Sequence, residues 1–185
     1  EVWAFHEAFA DLTAILNAFS HDEVIERCLR ETNNDISKSN IVTRLAEDVG
    51  LAIYKYSENK EGLNPHSLRD AVNNFKYVSP ETLPAESLRN ELAAEPHSFG
   101  RIFLGAFYDI IVKIYNKTLS EGHPPFNSLR HSSDVLTLYV LKAIQNVPLN
   151  GKFYDAMGRT LLWVAKNSDN GKYFDETQKC LVDRN

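Results

Sequence analysis

Apolar residues recur at spacings of three and four along most of the chain, the signature of helices that bury one face. Val2, Phe5, Phe9, Leu12, Ile15, Leu16 and Phe19 predict a first helix over 1–19, and Trp3 with the alanines makes it apolar on more than one side. Ser20-His21-Asp22-Glu23 reads as a capping box, with Ser at the N-cap and Glu three residues on. It opens a short helix through Val24, Ile25, Cys28 and Leu29, which Asn33-Asn34-Asp35 ends. A third helix is predicted over 38–57, with Ile41, Leu45, Val49, Ile53 and Tyr54 inward. Gly62-Leu63-Asn64-Pro65 reads as a turn and 67–74 as a short helix. Pro80, Pro84 and Pro96 mark a surface excursion with a helical turn around 85–94.

The widest apolar stripe lies over 97–119, through Phe99, Ile102, Phe103, Ala106, Phe107, Ile110, Ile111 and Ile114. Pro96 stands just before it, where proline suits the start of a helix. Gly122-His123-Pro124-Pro125 breaks the chain, and further helices are predicted over 132–145, over 152–166 and from Phe174 onward. Strand-like alternation and internal repeats are missing. The predicted fold class is all-α, a helical bundle, with 1–185 as a single helical domain.

Composition narrows the functional classes. The chain is 43% hydrophobic and 24% charged, ordinary for a globular protein that buries a core. Eight glycines and seven prolines in 185 residues are few turn formers, which again favours helices over many short strands. No apolar run approaches the roughly 18 residues of a membrane span. The net charge of −5, without a basic run, argues against nucleic acid as a partner. Cys28 and Cys180 are the only cysteines and form neither a metal knuckle nor a disulfide framework. The chain opens inside an apolar helical pattern, Glu1-Val2-Trp3-Ala4-Phe5, so a fragment of a longer protein is expected.

Two constellations carry candidate chemistry. Glu7 and Asp11 are four apart on the first helix, so both carboxylates share one face beside the apolar stripe. A carboxylate at such a border needs a metal, a cation or hydrogen-bond donors as partner; the plainer reading is an exposed charged edge. The six histidines, at 6, 21, 66, 97, 123 and 131, include no pair four apart, so the HExxH zinc motif is absent. The second constellation is Glu95-Pro96-His97-Ser98-Phe99-Gly100, which sets His97 in the first turn of the longest helix. A hydrogen-bond donor there can meet negative charge developing on an oxygen; the plainer reading is a residue that only starts its helix. Gly100 leaves space one turn on, suited to substrate approach or to tight packing. Tyr108, Asp109 and Tyr115 could make polar contacts at the flank of that helix; the plainer reading is ordinary amphipathic positions.

Ala4-Phe5-His6-Glu7-Ala8-Phe9-Ala10-Asp11-Leu12 resembles the (N/H)-E-A-x-x-D motif of thermolysin-like zinc metallopeptidases, the gluzincins. About ninety residues on, His97-Ser98-Phe99-Gly100-Arg101-Ile102 resembles their later H-x-x-G-I stretch. The two are similar to a microbial branch in which HEAFAD and EPHxxG recur. The resemblance spans roughly 1–115 and implies a C-terminal helical domain of such a peptidase. It implies that Glu7 is a zinc ligand, that Asp11 orients a zinc-bound histidine from behind, and that His97 is a catalytic residue stabilising the tetrahedral intermediate. The chain departs from the family in lacking HExxH, which supplies two ligands and the general base. It also lacks the acidic partner some residues before the histidine; Glu95 stands closer than that.

The expected function is therefore the C-terminal portion of a zinc-dependent metallopeptidase acting on a peptide or protein substrate. Zinc is expected in the full-length protein, while this chain alone should bind none tightly at Glu7 and be inactive. Its partner would be the HExxH-containing part of the same protein. The alternative is a non-catalytic all-helical interaction module.

Overall fold

A computed structural model describes every residue except 62, 65 and 89. Gly62 and Pro65 of the expected turn therefore lie outside the described residues. Among the described residues are seven α-helices and one two-stranded ladder. The helices are α1 (Val2–Ala18), α2 (Asp22–Thr32), α3 (Glu47–Tyr56), α4 (Pro96–Ser120), α5 (Pro125–Asn146), α6 (Phe153–Asn167) and α7 (Phe174–Asp183). β1 (Arg44–Leu45) pairs antiparallel with β2 (Arg69–Asp70). The protein is an all-α bundle, and none of its described helices is long and apolar enough to cross a membrane.

The bundle is organised around α4. Fifteen of its 25 residues are buried, the pattern of a helix covered on nearly all sides. α1, α5 and α7 pack directly on it, and α6 packs on α5 and α7. Phe5 of α1 joins three of these elements, its ring meeting Phe103, Phe107 and Phe153 edge-on at 5.5, 6.3 and 5.2 Å. Such edge contacts add about 0.5–1.5 kcal/mol each beyond burial. Trp3, in contrast, is 76% exposed, so α1 is less widely covered than its composition predicts.

Where the chain departs from prediction, side chains have taken over backbone hydrogen bonding. Ser20 does not cap α2; its hydroxyl donates to Asn17 O and closes α1, and His21 stands at the N-cap. The left-handed Asn33 does end α2 as expected (φ 53°). The helix predicted over 38–57 begins only at Glu47. Upstream of it the Asn40 carboxamide oxygen accepts from Val42 N and Thr43 N, and the Asp35 carboxylate accepts from Ser37 N. These local bonds compete with helix formation. Two buried tyrosines of α4 anchor the same loop: Tyr108 Oη donates to Ile36 O at 2.9 Å and Tyr115 Oη to Asn34 O at 3.0 Å. Burial pushes the Tyr115 phenol up to about 12. These residues are thus buried anchors, not ordinary flank positions.

The inward face expected for α3 is also revised, since Val49 is half exposed and only Gly50 is buried. A Cβ at Gly50 would lie 2.5 Å from Leu68 N, so α3 rests on the backbone of residues 67–68. The helix expected over 67–74 is replaced by β2 and irregular chain. Of the turn expected around 85–94, residue 89 lies outside the described residues, and Glu91 N donates to Leu88 O at 2.9 Å; a 3-10 turn stands earlier in the excursion, at Pro80–Thr82. α5 starts earlier than predicted because Pro125, read as a breaker, fits the first helical position.

Both thiols are sealed in the core: Cys28 is 0% and Cys180 1% exposed, and burial pushes each up to about 12. At pH 8 the thiolate fraction is then about one in ten thousand, and the thiolate is the reactive species. A chromogenic disulfide reagent is expected to label neither cysteine in the folded protein and both in guanidinium. Labelling of either in the native state within minutes would contradict this burial.

Candidate functional site

The site is built where α1 and α4 come closest. A Cβ at Gly100 would lie 2.7 Å from Ala4 O, so the two backbones touch there and no larger residue fits without movement. Of the two uses the sequence offered for Gly100, tight packing is the one realised. Glu7 lies one turn from Ala4 on α1, and His97 one turn from Gly100 on α4. The close approach therefore brings their side chains together, and His97 Nδ1 stands 2.9 Å from Glu7 Oε2.

The start of α4 is held by the Glu95 carboxylate. It accepts from His97 N at 3.0 Å and Ser98 N at 2.9 Å, satisfying two of the helix's unpaired donors with a negative charge at the positive end of its dipole. Glu95 is thus the cap, which leaves the His97 side chain free for another role. His97 Nε2 is 3.9 Å from Glu95 Oε1, beyond hydrogen-bond distance. With 55% of its side chain exposed, the imidazole stands at a rim rather than in the core.

Asp11 finds a partner the sequence did not indicate. Arg69 of β2 grips it with both prongs, Nε to Oδ2 and Nη2 to Oδ1, each at 2.8 Å. The two side chains are 19% and 16% exposed. The Asp11 carboxylate raises the Arg69 guanidinium above its ordinary range, against burial, which lowers it. Such a two-pronged, charge-assisted pair is among the stronger polar contacts. Each Asp11 oxygen keeps a further lone pair, so a second donor can still approach. Asp11→Asn is expected to lower stability by about 1.5–3 kcal/mol, the range for hydrogen bonds to a charged group. Urea unfolding would read this as a lower midpoint with an unchanged slope; an unchanged midpoint would show the pair to be ornamental.

An open cleft of about 480 Å³ adjoins the histidine, lined among others by Leu68, Arg69, Glu95, His97, Ser98 and Arg101. Arg101 is nearly buried. Its guanidinium bonds to Ser98 O, Ser98 Oγ and Glu91 O and lies 4.3 Å over the Phe75 ring. The cleft thus presents an imidazole, a hydroxyl and two guanidinium groups together with the carboxylates of Glu86 and Glu95, and Leu68 adds apolar lining. Its imidazole and hydroxyl can hydrogen-bond to a polar ligand.

Among the described residues, no three His, Cys, Asp or Glu side chains converge to hold a metal ion. Glu7 is a single, partly exposed carboxylate and fits one position of a zinc site, not a whole one. In this arrangement it is bonded to His97, so metal binding at Oε2 and hydrogen bonding to the imidazole would compete. Comparison with known protein families, with characterised proteins and with solved structures finds no match for this chain.

Proposed function

We propose that this chain is the C-terminal helical part of a thermolysin-like zinc metallopeptidase. The observation that carries the reading is the meeting of Glu7 and His97, 90 positions apart in sequence, at the edge of a cleft. Those are the two residues that the motif resemblance assigns to one active centre.

In the whole protein Glu7 would contribute one carboxylate to zinc, with the remaining ligands outside these 185 residues. Zinc when bound supplies an acidified water and polarises a carbonyl. Binding there would draw Glu7 away from His97. The imidazole would then be free to turn a donor toward the carbonyl oxygen of a peptide lying in the cleft. Asp11, already tied to Arg69, would accept a bond from a ligand histidine with its remaining lone pair and so fix that ring's orientation. Arg69 and Ser98 stand beside His97 as further donors for the peptide backbone.

The second reading, a non-catalytic interaction module, is favoured by exposed apolar side chains such as Trp3, Leu149 and Trp163. The complete gene product separates the two. The peptidase reading expects an HExxH sequence ahead of Glu1 and hydrolysis of an unstructured protein substrate that a zinc chelator abolishes. A complete product without HExxH, or with it but without chelator-sensitive hydrolysis, would leave the interaction module.

A further inference from the structure

We infer that Arg184 is a positioning residue for the cleft, holding the segment from Arg69 to Tyr77 so that Arg69 keeps its grip on Asp11. Its consequence for catalysis rests on the peptidase reading; its geometry does not.

The segment after β2 has no regular structure to fix it, and its backbone groups are met by side chains. Arg184, which follows α7, is 5% exposed and sends its guanidinium into this segment. An arginine has five N–H donors in a fixed planar fork, and here four of them donate to oxygens of the fold. Nε donates to Asp109 Oδ2 at 2.8 Å, and Nη2 lies 2.7 Å from the same oxygen. Nη1 donates to Asn73 Oδ1 at 2.7 Å and Phe75 O at 3.0 Å, and Nη2 to Asn73 O at 2.7 Å. The Arg184 carbonyl then accepts from Tyr77 N at 2.6 Å. One residue therefore pins positions 73, 75 and 77 to Asp109 of α4.

Asn73 passes the constraint back toward the cleft. Its amide nitrogen donates to Asp70 O and Ala71 O, the two carbonyls just after Arg69, and to Arg101 O of α4. Asp70 is held in turn by Ser39 Oγ, and Ala71 N by Thr43 O. Gly105 of α4 makes the seat possible: a Cβ there would collide with Arg184 Nη1 and lie 2.7 Å from Asn73 Oδ1. The path thus runs from Arg184 through Asn73 to Asp70 and Ala71, the residues next to the Arg69 that grips Asp11. Lysine cannot replace it, because an ammonium has three donors and no planar fork.

The test follows the Arg69 Nε–H signal by arginine-selective ¹H–¹⁵N NMR in the purified protein, in the variants Arg184→Lys and Asn73→Ala. Leu129→Ala, a core truncation in α5, serves as a control for general loss of stability. In either strap variant, solvent exchange of the Arg69 Nε–H is expected to be at least about tenfold faster, through local opening of the segment. In the control it should stay within about twofold of the parent. If Arg184→Lys does not fold, Asn73→Ala decides alone. An unchanged Arg69 signal in the folded strap variants would overturn the proposal, as would equal acceleration by Leu129→Ala. Neither zinc nor hydrolysis enters this measurement, so it can fail while the peptidase reading stands, and the reverse.

Discussion

On the proposed peptidase reading, replacing His97 by alanine is expected to slow peptide hydrolysis about a hundred- to a thousandfold, the usual loss for one oxyanion donor, while leaving zinc content unchanged. The reason is differential binding. A donor facing a carbonyl oxygen interacts more strongly once negative charge develops there, so its removal raises the barrier more than it weakens substrate binding. The geometry suits that role. Glu95 caps α4 in place of His97, and the imidazole stands at the cleft rim with one nitrogen engaged only by Glu7. Glu7→Ala is expected to behave differently, losing zinc together with activity, because it removes the carboxylate proposed as a ligand. Atomic absorption and hydrolysis rates on both variants separate the roles. Equal zinc loss in both, or full activity without the His97 side chain, would return His97 to a residue that only begins its helix.

Gly100→Val is expected to be the most damaging single change at the α1–α4 crossing. The added atoms would point at Ala4 O, a backbone atom that cannot rotate away, and even a lone Cβ would lie at 2.7 Å. Overpacking of this kind costs about 1–3 kcal/mol, to which a β-branched residue in a crowded helix adds little. For a chain of this length that is a fall in Tm of roughly 2–4 °C per kcal/mol. The same displacement would separate the helices and stretch the 2.9 Å contact between His97 and Glu7. Calorimetry checks the stability term. A Gly100→Val protein with parental Tm would mean that the helices do not approach as described.

The bundle's long helices were legible because their apolar residues keep a helical period that only burial explains. α1 and α4 were placed to within a residue or two, and Glu7 and His97, which the sequence singled out on those helices, lie 2.9 Å apart. Arg69 was not, because its partner lies 58 positions away and the segment around it has no periodicity. The stretch 38–46 misled for a related reason. Ile41 and Leu45 fit a helical stripe, yet Asn40 and Asp35 bind nearby backbone amides and hold the chain in turns. Arg184 was equally silent, since a guanidinium that serves four oxygens of the fold looks in sequence like any surface arginine. Prediction thus succeeded where backbone bonds are local and repetitive. It failed where single polar side chains replace them.

The central claim is that Glu7 and His97 belong to one zinc-dependent centre. Zinc-edge anomalous diffraction from crystals of the whole protein tests it most directly. The expected result is one zinc about 2.0–2.2 Å from a Glu7 carboxylate oxygen, with His97 beside it but outside its coordination sphere. A zinc bound elsewhere, a zinc that takes His97 as a ligand, or a fully active protein with no zinc peak near Glu7 would contradict it.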